Sequence, residues 1–283
     1  MSPVYRQFDQ VELDREYSPS SCVADLGAEL AAYTEGSAAA YAALPGHREL
    51  RYGTQAPEVL DFFPAAGPAA PLHVFVHGGY WQELDKADSV FAAPDFTARG
   101  TAFAAIGYGL APKWPLDAIV AQVRRAVRRL LTDAEQLGVD PQRVYLSGSS
   151  AGAHLAAMAL LDPEPAPDGR RVAGAVLLSG VYDLEPISLS YVNEALGLDA
   201  AAARRNSPLH LPQAGLPPLL IAVGEHETAE FGRQHEEFTA SVRAAGVPVH
   251  AFTAAGRNHF DLPLDLGRAD SRLGREVLER FGS

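Results

Sequence analysis

Short apolar runs alternate with longer amphipathic segments along most of this chain. The runs that predict strands buried on both faces are residues 72–76, 102–106, 144–146, 172–178, 217–223 and 247–252. Helices are predicted at residues 115–137, 153–161, 230–245 and 266–281. Strands that alternate with helices predict an α/β fold, with a mostly parallel central sheet and helices on both of its faces.

Two segments lie outside this alternating core. Residues 1–45 predict an N-terminal extension that packs on the core, with a helix at 28–43 that ends before Pro45. Residues 184–216 are too long for a simple crossover between strands and are broken by prolines, so we expect short helices there that form a small cap. Because the chain has no internal repeat and no linker, residues 1–283 are expected to form a single domain.

The region before the first buried strand predicts the edge of the sheet. Residues 49–52 and 58–63 are short extended runs. Residues 64–71 contain only Pro, Gly and Ala, which predicts a loop that joins two antiparallel strands. After the strand at 72–76, residues 85–96 are expected to form a helix or an irregular segment.

The strand at 144–146 runs into Gly148-Ser149-Ser150-Ala151-Gly152, and a helix follows. Strand, Gly-x-Ser-x-Gly and helix form the nucleophile-elbow pattern, in which a strained central serine projects above the sheet. Ser150 is therefore the candidate nucleophile, since Ser147 and Ser149 are not centred between glycines. The alternative is an ordinary glycine-rich turn between a strand and a helix.

Polar residues at the ends of other strands favour the elbow. Ligands of parallel sheets bind beyond the carboxyl ends of the strands, and those ends carry a serine, acidic residues and a histidine in the chain order of an elbow hydrolase. His259 follows the last strand and is the candidate general base, the alternative being an exposed loop histidine. His226 lies where the acid is expected, and His77 and His154 are interpreted as structural.

The acid that orients this histidine is expected after the penultimate strand, where Glu225, Glu227 and Glu230 stand. We favour Glu227 over Glu225. Glu230 is expected to begin the next helix, where a carboxylate is favourable near the positive helix end. Asp183, at the end of another strand, is a further alternative.

The first buried strand is followed by His77-Gly78-Gly79. Glycines at this position let backbone N–H groups approach the negative oxygen that develops during acyl transfer. The N–H of Ala151, directly after the candidate nucleophile, would complete such an oxyanion hole. Gly78, Gly79 and Ala151 are therefore its candidates, the alternative being a common Gly-Gly turn.

Composition narrows the class of function. The net charge of −12 disfavours nucleic acid and anionic membranes as partners, and four arginines between residues 124 and 129 are interpreted as a solvated helix face. No apolar run approaches a membrane span, and the N-terminus lacks the pattern of a signal peptide. The single cysteine, Cys22, excludes an intramolecular disulfide. A cytoplasmic protein with a small-molecule substrate is therefore expected.

The stretch from His77 to Trp81 resembles the His-Gly-Gly-x-Trp motif of the kynurenine formamidase (arylformamidase) group of α/β-hydrolases. Similar stretches over most of the chain are Tyr17-Ser-Pro, Gly148 to Gly152, and residues 179–186, 191–193 and 227–234. The resemblance implies an α/β-hydrolase fold and hydrolysis of N-formyl-L-kynurenine to kynurenine and formate without metal or cofactor. It places Glu227 at the position of the family's catalytic acid, which is often Asp. Close relatives act on other aryl amides or on simple aryl esters.

An aromatic substrate requires a pocket that accepts its ring. The candidates are Tyr80, Trp81, Tyr182, Tyr191 and Phe260, and the alternative for each is packing in the core. The leading hypothesis is a metal-independent serine hydrolase that cleaves a small aryl formamide, with N-formyl-L-kynurenine as the first choice. The alternatives are a carboxylesterase for short-chain aryl esters and a non-catalytic, ligand-binding hydrolase fold. We consider a homodimer as the oligomeric state.

Overall fold

The computed structural model describes residues 3–164, 166 and 169–281. Within these residues, eight strands form one sheet in the order β1-β2-β4-β3-β5-β6-β7-β8. The strands are β1 (Arg48–Arg51), β2 (Val59–Phe63), β3 (Ala70–Val76), β4 (Ala102–Ile106), β5 (Val139–Ser149), β6 (Gly174–Leu178), β7 (Leu219–His226) and β8 (Val249–Asn258). Strands β3 to β8 run parallel to one another, and the two antiparallel pairings of the sheet are β1 with β2 and β2 with β4, which confirms the predicted mostly parallel sheet.

Helices cover both faces of this sheet. They are α1 (Gln10–Glu16), α2 (Leu26–Ala43), α3 (Ala93–Thr97), α4 (Leu116–Asp133), α5 (Ala151–Leu160), α6 (Glu185–Leu189), α7 (Asn193–Leu196), α8 (Ala200–Arg205), α9 (Ala229–Ala244) and α10 (Arg272–Phe281). Side chains of β3 alternate between two apolar clusters, because successive residues of a strand point to opposite faces. Leu72 and Val74 join the cluster of α4, α5 and α9, whereas Phe75 joins that of α3 and α10. This arrangement confirms the predicted α/β fold.

The loop that leaves β2 joins it to β3, and the two strands run in opposite directions, as predicted for residues 64–71. The sequence did not indicate which strand pairs with β2. Strand β2 pairs with β4, and β4 separates it from β3, the next strand in the chain. Leu60 of β2 lies opposite Ile106. The loop therefore crosses over the position of β4. The pairing of β2 with β4 is non-local in the chain, and no turn signal encodes it.

Two predicted helical regions are shorter in the structure. Between residues 85 and 96 the chain forms a 3₁₀ turn at Lys86–Asp88 and begins α3 at Ala93. The last helix begins at Arg272, whereas the apolar pattern predicted it from residue 266. Gly267 has a φ of +83°, a conformation that is incompatible with a right-handed helix.

The N-terminal segment (residues 3–45) contains α1 and α2, and α2 confirms the helix predicted at 28–43. Residues 184–216 contain α6, α7, α8 and a 3₁₀ turn at Pro208–His210, which are the short helices predicted there. Their function as a cap stays a prediction. Among the described residues, none of the helices has both the length and the apolar character needed to traverse a lipid bilayer.

Candidate active site

Ser150 occupies the turn between β5 and α5. Its φ of 57° and ψ of −122° form a conformation that residues with a Cβ atom rarely adopt. Two backbone hydrogen bonds hold it: the Ser150 N–H donates to the Leu178 carbonyl (2.8 Å), and the His154 N–H donates to the Ser150 carbonyl (3.1 Å). The turn therefore has the backbone geometry of a nucleophile elbow.

Close backbone contacts require both glycines of this turn. A Cβ atom on Gly148 would overlap the carbonyl of Gly152, and a Cβ atom on Gly152 would overlap the carbonyls of Val76 and His77. The start of α5 thus lies directly against the end of β3. The contact brings the loop that follows β3, the glycine loop (residues 77–84), beside Ser150.

His259 and Glu227 form a buried pair at the ends of β8 and β7. His259 Nδ1 lies 2.7 Å from Glu227 Oε2, and the two side chains are only 6% and 2% exposed. Glu227 Oε1 accepts hydrogen bonds from Ser179 Oγ (2.6 Å) and from the Gly224 N–H (2.6 Å). An ionised Glu227 can only accept, so the proton of the neutral imidazole lies on Nδ1. His259 Nε2 is then free to take a proton.

The other acidic candidates lie in different environments. Glu225 is exposed and accepts the Gly256 N–H at 2.7 Å. Glu230 lies in the first turn of α9, as predicted, and pairs with Arg233 at 2.6 Å. Asp183 lies 3.4 Å from His210. Of the four carboxylates weighed from the sequence, the structure therefore brings Glu227 alone to His259.

Ser150 and His259 line the same cavity, whose volume is about 220 Å³. Among the described residues, Ser150 Oγ and His259 Nε2 have no hydrogen-bond partner. Both atoms are thus available to a molecule bound in the cavity. The arrangement joins a serine hydroxyl, an imidazole and a carboxylate at the carboxyl ends of three parallel strands, which is the arrangement needed for nucleophilic acyl transfer.

The glycine loop runs close to the serine. A Cβ atom on Gly78 would lie 2.9 Å from the Ser149 carbonyl oxygen, so only glycine allows this approach. Gly79 has a φ of +93°, and the positive φ values continue at Tyr80 (49°) and Trp81 (59°). Gly78 and Gly79 line the cavity, whereas Ala151 is fully buried as the first residue of α5.

A buried histidine supports the start of this loop. The His77 ring stacks on Tyr108 with 4.1 Å between ring centroids, and the Tyr108 hydroxyl donates to the His77 carbonyl at 2.7 Å. Burial lowers the pKa of His77 to about 4, so the ring is neutral near pH 7. His77 therefore holds the loop in place, in agreement with its structural interpretation.

Trp81 was predicted to contact substrate, but the structure places it in the core. Its side chain is fully buried and does not line the cavity. Its indole Nε1–H donates to His154 Nδ1 (3.2 Å), and His154 Nε2–H donates to the Asn206 carbonyl (2.7 Å). Burial lowers the pKa of His154 to about 4, which keeps this ring neutral. A buried indole N–H needs an acceptor, and His154 of α5 supplies it. This hydrogen bond connects the glycine loop to α5 through Trp81.

Tyr182, also predicted to contact substrate, is likewise buried and does not line the cavity. Its ring stacks on Phe238 of α9 with 4.0 Å between centroids, and its side chain is almost fully buried. Its backbone N–H donates to Gln234 Oε1 at 2.9 Å, which fixes the strand end against α9. The cavity does not reach this ring.

Tyr80, Tyr191 and Phe260 do line the cavity, and their contact with substrate stays a prediction. The sequence analysis missed several other lining residues, namely Pro19, Ser20, Leu26, Leu30 and Tyr33 of the N-terminal segment and the carboxylates Glu83 and Asp88. It also missed the hydrogen bond of Ser179 to Glu227. The sequence signals near these residues were the stretches Tyr17-Ser-Pro and Ser179-Gly. Those two stretches were singled out by their similarity to a family, not by reasoning from the residues themselves.

The fold and the site together define an α/β-hydrolase. A family model described as an alpha/beta hydrolase fold matches residues 73–261, which include the elbow, the glycine loop and both members of the buried pair. The sheet order and the two covered faces are consistent with that match.

Comparison with known proteins narrows the class further. Kynurenine formamidase of Danio rerio is 32% identical, and the alignment covers 98% of each chain. A solved structure from Silicibacter sp. TM1040, provisionally named a thioesterase, has a TM-score of 0.83 at 28% identity and covers 93% of this chain and 98% of that one. Thermogutta terrifontis esterase 2 phosphonylated by sarin has a TM-score of 0.66 at 26% identity, with 83% and 92% covered. The chain belongs to the kynurenine formamidase family of α/β-hydrolases.

Proposed function

We propose that this protein is a serine hydrolase that cleaves a small aryl formamide, with N-formyl-L-kynurenine as its substrate and kynurenine and formate as its products. The observation that carries the proposal is the buried His259–Glu227 pair, whose imidazole opens into the same cavity as Ser150. The membership of the kynurenine formamidase family supports the choice of substrate.

In the first half of the proposed reaction, Ser150 Oγ attacks the formyl carbon while His259 Nε2 takes the hydroxyl proton. Glu227 stays ionised and stabilises the resulting imidazolium. The oxyanion is bound by backbone N–H groups of Gly78, Gly79 and Ala151, which donate to no acceptor among the described residues. His259 then protonates the aryl nitrogen as the C–N bond breaks, and the arylamine leaves.

In the second half, water adds to the formyl ester on Ser150. His259 takes a proton from this water, and returns it to Ser150 Oγ as the C–O bond breaks and formate leaves. Every proton transfer is assigned to a side chain of the protein. We therefore propose that the reaction requires neither a metal ion nor a cofactor.

The lining of the cavity supports an aromatic substrate with an amino group. The rings of Tyr80 and Phe260 offer flat apolar surface for an aryl group. The carboxylates of Asp88 and Glu83 also line the cavity, and a carboxylate attracts an ammonium group. N-formyl-L-kynurenine has both an aryl ring and an α-ammonium group.

The test is turnover of N-formyl-L-kynurenine by the purified protein, followed as release of kynurenine. Ser150→Ala is the matched control, because it removes only the nucleophile and should abolish turnover without changing the melting temperature. Retained turnover in that variant would show that the nucleophile is misassigned.

The second candidate is a carboxylesterase for short-chain aryl esters. The structural likeness to Thermogutta terrifontis esterase 2 favours it, because that protein shares the fold, is named an esterase and is phosphonylated by sarin. Rapid turnover of p-nitrophenyl acetate with no release of kynurenine would favour the esterase. A protein that neither turns over either substrate nor reacts with a fluorophosphonate would instead be the non-catalytic binder.

Two further properties belong to the same proposal. We propose that the enzyme works in the cytoplasm, where the exposed thiol of Cys22 would stay reduced. We also propose a homodimer, which light scattering on the purified protein would test. Fractionation of the native cells with an antibody against this chain would test the location.

A further inference from the structure

The N-terminal segment is hydrogen-bonded to two loops of the active site through Tyr17 and its neighbour Glu16. The Tyr17 side chain is fully buried, although it belongs to a short segment outside the sheet. We infer that Tyr17 is a positioning residue, whose two ends join the loop of the catalytic acid to the glycine loop. This inference rests on the proposed function only in assigning acyl transfer to Ser150.

The hydroxyl end of Tyr17 is bound to α9. It donates to Glu230 Oε2 at 2.8 Å and accepts hydrogen bonds from Gln234 Nε2 (3.1 Å) and Arg233 Nη2 (3.3 Å). Glu230 also pairs with Arg233 at 2.6 Å. Both charged side chains therefore keep a partner if the Tyr17 hydroxyl is removed. The stretch at 227–234, which marked the family resemblance, thus supplies the three side chains that bind Tyr17.

The residue before Tyr17 strengthens this attachment. The Thr228 hydroxyl donates to the Glu16 carbonyl (2.5 Å), and the Glu230 N–H donates to Glu16 Oε2 (3.1 Å). Thr228 directly follows Glu227, the partner of His259. The N-terminal segment is therefore fastened to the acid loop (residues 224–228) at the first residue after the proposed catalytic acid.

The carbonyl end of Tyr17 is bound by two tyrosines that line the cavity. It accepts the Tyr80 hydroxyl at 2.7 Å and the Tyr191 hydroxyl at 3.3 Å. Tyr80 has a φ of 49° and directly follows Gly79, one of the residues of the proposed oxyanion hole. A positive φ in a tyrosine persists only where its surroundings hold it. The hydrogen bond from Tyr80 to Tyr17 supplies such a restraint.

These contacts form one continuous connection, from the acid loop through Tyr17 to the glycine loop. The connection holds the N–H groups of the proposed oxyanion hole at a fixed position relative to His259. Because the oxyanion exists only in the transition state and intermediate, loosening this connection should lower kcat and leave KM nearly unchanged.

The test is a double-mutant cycle with Tyr17→Phe and Tyr80→Phe. Tyr17→Phe keeps the ring against Phe231 and leaves Glu230 paired with Arg233, so the variant is expected to fold. Tyr145→Phe is the matched control, since its ring packs on Phe281 of α10, far from the cavity lining. The readouts are kcat and KM, and the rate at which a fluorophosphonate labels Ser150, measured by intact mass.

We expect each single variant to lose about fivefold in kcat and in labelling rate, because Tyr80→Phe removes the hydrogen bond at one end of the connection and Tyr17→Phe releases the other end from α9. The double variant should lose little more than either single variant, because both substitutions break the same connection. Tyr145→Phe should match the wild type. Any of three results would overturn the inference: losses that multiply in the double variant, losses that appear in KM alone, or a wild-type labelling rate in Tyr80→Phe.

The labelling rate requires no assumption about the natural substrate. If the protein hydrolyses esters but releases no kynurenine, the proposed substrate fails while the cycle still reports on Tyr17. If kynurenine is released and the cycle shows independent effects, the proposed function stands and the coupling through Tyr17 fails.

Discussion

The substitution Glu227→Gln tests the acid–base pair most directly, because the structure determines how a glutamine must sit. Ser179 Oγ and the Gly224 N–H both donate to Oε1. In the variant these two donors select the amide oxygen for that position, so the amide NH₂ faces His259. An NH₂ group can only donate. His259 Nδ1 must then accept, and its proton moves to Nε2, which can no longer take the proton of Ser150.

The expected loss follows from this change of tautomer. A triad histidine held in the wrong tautomer lowers kcat by about 10⁴-fold, which corresponds to roughly 5 kcal/mol in the activation barrier. Glu227→Asp keeps the charge but is shorter by one methylene group, so it should lose less than Glu227→Gln. The fold should survive both changes, since Ser179 and Gly224 retain an oxygen acceptor.

The assay is kcat near neutral pH for the substrate that the wild type turns over fastest, with melting temperature as the check on folding. Glu225→Gln is the matched control, because it removes the same charge two residues earlier from an exposed side chain that accepts the Gly256 N–H. We expect this control to keep nearly wild-type turnover. The tautomer change predicts a loss far larger than tenfold. A Glu227→Gln variant that keeps more than about a tenth of the wild-type kcat would therefore refute the assignment of Glu227 as the acid that sets the tautomer of His259.

Three other outcomes are expected. Gly152→Ala should abolish activity and destabilise the fold, because its Cβ would overlap the Val76 carbonyl; soluble yield, melting temperature and labelling of the nucleophile check this. Asp88→Asn should raise KM for N-formyl-L-kynurenine and leave KM for an uncharged aryl formamide unchanged, which steady-state kinetics would decide. The free energy of unfolding should fall as the pH drops from about 6.5 toward 4. Buried His77 and His154 have a folded-state pKa of about 4, below the unfolded value, so both rings take up protons on unfolding. Urea titrations should show a loss of about 2 kcal/mol for each ring between pH 7 and pH 5.

The elements that the sequence predicted well are those with a local signature. The apolar run at 102–106 predicted β4 without error, because a strand covered on both faces must be apolar at every position. The elbow at Ser150 was predicted from the glycines, which the structure shows to be sterically required. The pair of His259 and Glu227 followed from the order of strand ends along the chain, and the structure brings these two side chains together.

The aromatic residues show where a sequence pattern ceases to be informative. Tyr80 and Trp81 are neighbours in the chain, yet one lines the cavity and the other is buried against His154. Each orientation depends on a hydrogen-bond partner far along the chain: Tyr17 for Tyr80, and His154 for Trp81. Local propensity carries no information on such partners.

The class of fold, the position of the elbow and the residues from which a catalytic pair could be drawn all follow from the sequence. These features depend on apolar periodicity and on glycine geometry, which act over a few neighbouring residues. Tertiary packing was needed to show that Glu227 and not Glu225 faces His259, and that the N-terminal segment lines part of the cavity and binds Tyr80 through Tyr17. Those outcomes depend on which polar groups are buried together, because each buried donor must find an acceptor wherever the fold provides one.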